Sequence, residues 1–375
     1  IRCSTEGTSA HLRIPRETAI TCTSRGQPSE KTRASADGTS HLRGRIRYRE
    51  IVQPLTVNYL LEDTVLFGGV KVVLHHAELL RRAGHLVTVV SKGPRPSWYR
   101  TGDGFLEVAR FSPDVVPDAD LHVATFWTTV EAAVAQPSGQ AVHFCQGFEA
   151  GLEHNRDEHP RLINAYPMRL PIWTVSPHLG ELNRSRFGRP FRLVTPALEP
   201  FWRPGNRRRP GRPPRVLVPH PFEFYMKGVD TALKAVRLLR LDGLDLKLIR
   251  LSQWPLGRDE RTLIEPDEFH HHLPPEKVAE LLAGCDLLLA PSWPSAGFGL
   301  MVLEAMACGV PVVASRIPSH AAFAAGAAEL VAPHDAVALA EAAAEVLADD
   351  GKWSRMRHAG LAVAARYSET AIAAV

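Results

Sequence analysis

The stretch from Pro291 to Ser315, PSWPSAGFGLMVLEAMACGVPVVAS, admits few structural solutions. Gly297 and Gly299 bracket Phe298 in a tight turn, apolar helix formers follow from Leu300 to Cys308, Gly309 stands where a helix ends, and Pro311-Val312-Val313-Ala314 reads as a strand. The unit is loop, helix, turn, strand. Its helix is apolar almost all round and so belongs in a core, and between Ala296 and Ser315 the one charged residue is Glu304. A buried carboxylate without partners costs on the order of several kcal/mol, and no lysine or arginine lies close in sequence to pair with it. The hydroxyls of a bound diol, such as a ribose, would satisfy it. The glycines let backbone N–H groups at a helix N-terminus approach an anion such as phosphate.

The rest of the chain supports two α/β units. Its 375 residues, 45% hydrophobic and 22% charged, suffice for two cores, and no apolar run reaches membrane-spanning length. The net charge of +4 is mild and owes much to arginine clusters, so composition gives little support to a nucleic-acid partner. Cys3, Cys22, Cys145, Cys285 and Cys308 form no CxxC pair and no Cys/His metal spacing, which argues for reduced, buried thiols and a cytoplasmic setting. Residues 1–50 lack apolar periodicity and read as disordered or as a non-native extension. From Leu55 a βαβ pattern begins: a strand to Leu60, Gly68 and Gly69 opening a helix to about Ala83, and a strand from Leu86 to Ser91. Further strands are expected at Asp120–Thr125, Ala141–Cys145 and Ile172–Val175, with His143, Gln146, Glu149 and Ser176 close to strand ends.

Residues 196–214 are rich in proline and arginine and read as a linker, with Arg207, Arg208 and Arg209 able to meet anionic headgroups or a phosphorylated acceptor. A second strand–helix series follows over 215–375, after a first one over 51–195. Lys227 projects from the loop before the amphipathic helix Val229 to Arg240, as a point charge suited to a diphosphate. Strands are expected at Asp245–Ile249 and Glu268–Leu273, a helix at Pro275–Ala283 and a buried strand at Asp286–Ala290. The run His270-His271-His272 sits on a strand, where alternate side chains diverge, so it is no metal site.

The stretch around Gly297 resembles the retaining glycosyltransferases of family 4, the glycosyl transferases group 1, which have a GT-B fold of two Rossmann-like domains facing a cleft. In that family two Glu residues flank a GFGL turn; the second matches Glu304, and the first falls on Ala296, while Met301 stands where proline is common. PEKVAELL and MKGVDTALKAV are similar to further family segments. The resemblance implies a nucleoside-diphosphate sugar as co-substrate, an acceptor hydroxyl, retention of configuration, and no metal or other cofactor. It implies that Lys227 and Glu304 serve catalysis, with Lys227 on the donor phosphates and Glu304 on the ribose. Gly297, Phe298, Gly299, Leu300, Gly68 and Gly69 would line the donor site, and His143, Gln146 and Glu149 are candidates for acceptor or sugar contacts. Losing the contact at Ala296 would cost about 1–3 kcal/mol, roughly ten- to a hundredfold. The family arginine before the KG segment is missing, leaving His220 or a linker arginine to replace it. A non-catalytic protein of the same fold, binding a nucleotide or a partner, is the alternative. The amphipathic helix after Gly69, with Lys71, Arg81 and Arg82, is compatible with peripheral membrane contact. A C-terminal helix crossing back to the first domain, common in the family, is expected to be cut short.

Overall fold

The computed structural model describes residues 53–151 and 153–372; the expectation for 1–50, and Cys3 and Cys22, fall outside them. Two parallel sheets organise the chain. The first comprises β1 (Thr56–Leu61), β2 (Leu86–Ser91), β3 (Phe105–Glu107), β4 (Leu121–Ala124), β5 (Gln140–Cys145), β6 (Ile172–Thr174) and β7 (Phe191–Leu193), in the order β3-β2-β1-β4-β5-β6-β7. The second comprises β8 (Arg215–Pro219), β9 (Lys247–Ser252), β10 (Glu268–His271), β11 (Leu287–Ala290), β12 (Val312–Ser315) and β13 (Glu329–Val331), in the order β10-β9-β8-β11-β12-β13. Both are doubly wound, with the order reversing between β1 and β4 and again between β8 and β11.

Strand alternation assigns side chains to separate cores. Val57, Tyr59 and Leu61 of β1 join Leu217, Leu288 and Met306 in a core shared by both halves, whereas Leu60 turns to the opposite face with Val90 and Ala124. Val216, Val218, Leu287 and Leu289 face the helices Val229–Leu241 and Ala336–Ala348. Trp353 is fully buried beside them and donates its indole N–H to Asp286 O at 2.7 Å.

Most elements lie within a residue or two of their sequence positions. The strand expected at Asp245–Ile249 instead runs over Lys247–Ser252, because pairing to both β8 and β10 carries it to Ser252. Three-residue β3 and β7 are edge strands too short to show a pattern. The last described helix, Glu369–Ile372, returns to the first half: Leu198 N–H donates to Tyr367 O, and Glu369 bonds His75 and Arg82. Of the cations of helix Gly68–Arg82, Lys71 and Arg81 have partners within the fold, and Arg82 is half-exposed. Arg81 donates to the carbonyls of Val87, Thr101 and Gly104, and Arg82 pairs with Glu78 and Glu369. Among the described residues no helix is long and apolar enough to cross a membrane.

One buried ion pair positions the loop after β8. Arg250 of β9 is fully buried, pairs with Glu260 at 2.5 Å, and donates to the carbonyls of Val218 and His220. His220 has a φ of 80°, a left-handed conformation that this bond helps to hold. Glu260→Leu would strand the guanidinium in the core, so urea unfolding should show a loss of roughly 3–5 kcal/mol, against near-neutrality for a surface change.

Candidate functional site

The carboxyl ends of β1, β4, β8 and β11 all open onto one cavity of about 490 Å³, where a doubly wound sheet binds ligands. Its first wall is the Gly297-Phe298-Gly299 turn. Gly299 has a φ of 99°, and a Cβ there would lie 2.8 Å from the His320 ring. A Cβ on Gly297 would fall 2.0 Å from Gln146 O, so only glycine lets this turn touch the opposite half. A Cβ on Gly68 would meet Leu300 at 2.9 Å. Ser176 Oγ donates to Gly297 O at 2.9 Å, the backbone of Ala296 bonds His178, and Gln146 Nε2 donates to Gly69 O at 3.1 Å. The Phe298 ring stacks on Phe323 at 4.9 Å and anchors the turn from behind. No side chain caps the helix Leu300–Ala307 that follows, which leaves its N-terminal amides to a ligand.

Lys227 lines the same cavity from the loop after β8. A Cβ on Gly228 would lie 2.1 Å from Pro291 O, so that glycine lets the loop pack on the end of β11. Among the described residues no hydrogen bond or ion pair takes up the Lys227 ammonium, and burial holds its pKa below the ordinary lysine value. An arriving anion would relieve both conditions. His220 does not replace the missing arginine, since burial, with Lys227 and Arg250 nearby, pushes its pKa well below the usual range and keeps it neutral. Arg207 pairs with Asp286 at 3.0 Å before the amino end of β11, and Arg208 and Arg209 are exposed away from the cavity.

Glu304 is not the unpaired carboxylate that its sequence neighbourhood implied. It receives the Lys71 ammonium at 2.5 Å, from the helix Gly68–Arg82, and Lys71 also reaches Glu199 at 3.2 Å. The Trp202 indole N–H donates to Glu199, and the ammonium lies 4.6 Å from the Trp202 ring centroid. Burial works against the Lys71 ammonium, but the two carboxylates overcome it and raise its pKa. Burial also opposes the ionised form of Glu199, yet Lys71 holds its pKa low; at Glu304 burial dominates and the pKa stays high. Only one Glu304 oxygen is taken, leaving the second to a ligand. In sequence the sole hint of this pairing was a lysine interrupting the apolar run Val70–Leu74.

Of the remaining candidates, Gly68, Gly69, Gln146, Gly297, Phe298, Gly299 and Leu300 line the cavity. His143 does not: it is buried in β5 against Tyr166 and Arg189, and burial lowers its pKa to about 3. Glu149 also lies off the cavity, beneath the loop that carries Gln146, where it accepts a hydrogen bond from the Tyr166 hydroxyl. Within His270-His271-His272, His270 bonds Glu268 and His271 bonds Gln253 O, so the imidazoles take separate partners. His320, not singled out from sequence, lines the cavity beside Gly299.

Residues 214–349 match the family described as Glycosyl transferases group 1. A D-inositol 3-phosphate glycosyltransferase of Pseudarthrobacter chlorophenolicus is 38% identical over 137 residues, 33% of this chain and 32% of that protein. An O-antigen chain mannosyltransferase B of Escherichia coli is 37% identical over 98 residues, 26% and 25% of the two chains. The chain thus spans about a third or less of the length of these curated relatives. Sucrose-phosphate synthase from Thermosynechococcus elongatus superposes with a TM-score of 0.69 at 17% identity, covering 85% of this chain and 96% of that one. Anabaena HepE in complex with UDP-glucose superposes with a TM-score of 0.65 at 15% identity, covering 85% and 97%. These structural likenesses show the GT-B fold.

Burial pushes the Glu149 carboxyl up to about 7, only partly offset by Tyr166. A carboxyl whose folded pKa exceeds its unfolded value of about 4.3 stabilises the fold fully below that value, and the contribution is lost as pH rises through about 7. Glu149→Gln should therefore unfold at higher temperature than the parent at pH 8, by roughly 1–3 kcal/mol of stability, with the gap closing towards pH 4.

Proposed function

From a GT-B frame whose second half carries the glycosyl transferases group 1 match, we propose that this protein moves a sugar from a nucleoside-diphosphate sugar to an acceptor hydroxyl with retention of configuration. The observation that carries the reading is the unpaired Lys227 ammonium in the same cavity as the uncapped N-terminus of helix Leu300–Ala307. Together they form a cationic end suited to the charge that grows on a departing diphosphate. The free oxygen of Glu304 would accept a ribose hydroxyl, with Lys71 fixing the carboxylate in place. The departing phosphate would take the acceptor's proton on the face that it leaves, so that no metal or other cofactor is required. HepE was solved with UDP-glucose, which supports a donor of this class.

A second reading, nucleotide binding without transfer, is favoured by Ala296, whose methyl offers the donor sugar no hydrogen bond. Tight nucleotide binding with no turnover of any donor would establish it.

Lys227→Ala should weaken nucleoside-diphosphate affinity and lower turnover by about 10²–10³-fold, measured by calorimetry and a transfer assay. Unchanged affinity together with unchanged turnover would refute the role given to Lys227.

A further inference from the structure

His320 lies in the first turn of helix Pro318–Ala324, just after β12, and is 1% exposed. Its Nδ1 lies 3.0 Å from Ser315 O. A carbonyl oxygen can only accept, so Nδ1 carries the hydrogen and Nε2 presents a lone pair. Burial, with Lys227 and His178 as neighbouring groups, lowers its pKa to about 4, so the ring is neutral at pH 7 and this tautomer is kept. A Cβ on Gly299 would lie 2.9 Å from Nε2, which places that nitrogen at the edge of the Gly297–Gly299 turn. Among the described residues nothing bonds Nε2, and His320 lines the cavity.

The groups around Nε2 determine what it can meet. The Lys227 ammonium and the helix amides are donors, while Ala296 and Phe298 bring no side-chain acceptor. A diphosphate supplies acceptor oxygens only and is therefore matched by the donors, whereas a lone pair facing it would repel. A sugar hydroxyl carries the hydrogen that Nε2 lacks. Resting on the transferase reading above, the geometry points to His320 Nε2 as the acceptor for one hydroxyl of the transferred sugar, making His320 a specificity-determining residue. The donor class is accordingly a sugar that is neutral and hydroxylated at that carbon, in preference to one that is deoxygenated or carries a carboxylate there.

The test uses the full chain, with UDP, GDP, ADP and TDP and their hexose conjugates, followed by monodeoxy-hexose analogues of the conjugate that binds. His320→Phe keeps a ring but removes the acceptor. It should leave nucleoside-diphosphate affinity within about twofold and weaken nucleotide-sugar binding about ten- to a hundredfold, with His320→Gln restoring part of the loss. One deoxy analogue should lose the same factor on the unaltered protein and nothing further on His320→Phe. Equal losses for nucleoside diphosphate and nucleotide sugar would make the ring a phosphate ligand and overturn the assignment. So would a deoxy series in which no single hydroxyl costs about tenfold on the unaltered protein, a result that does not depend on either variant folding. Failure of every nucleoside diphosphate to bind the unaltered protein would overturn the transferase reading, and this inference with it.

Discussion

Lys71 sits between Glu304 and Glu199 in the buried layer where the two sheets meet, and holds both carboxylates there. Two carboxylates and one ammonium with so little exposure are expensive to desolvate, and such a group is tolerable only when its geometry is complete. Here it is nearly so: the ammonium reaches both carboxylates and the Trp202 face, and the indole N–H donates to Glu199. Removing one member would leave a charge stranded in the core. The same contact joins the helix after β1 to the helix after β11, so an electrostatic requirement becomes a spatial one.

Backbone proximity completes what the ion triad begins. Gly297 against the Gln146 carbonyl brings the halves closer than any side chain there would permit, and Gly68 packs against the Leu300 side chain. Ser176 then adds a hydrogen bond across the seam, to the Gly297 carbonyl. Because the strand order reverses at the same relative place in both sheets, the loops brought together are those at the carboxyl ends of the strands. The cavity is thus a consequence of topology, while its chemistry comes from a handful of side chains set on those loops.

Those side chains divide the labour by charge. Lys227 is the cation left without a protein partner among the lining residues, Glu304 keeps one free oxygen, and His320 offers a neutral lone pair. Each protonation state follows from burial and neighbours. The sequence neighbours of these residues do not reveal this division, since Lys71 and Glu304 are 233 residues apart.

Read alone, the sequence determined the elements and the Gly297–Gly299 wall of the cavity. Alternating strands, the amphipathic helix beginning at Val229 and the Gly297–Gly299 turn all depend on local periodicity or local backbone geometry, and these are written in consecutive residues. It also marked Glu304 as a buried charge in need of partners. Tertiary structure alone decided that Lys71 is the partner, that Arg81 binds backbone carbonyls within the fold, that His143 and Glu149 lie off the cavity, and that His320 reaches its edge. The reason is physical: a turn or a helix is selected by neighbours along the chain, whereas the partner of a buried charge is selected by whichever surfaces packing brings together.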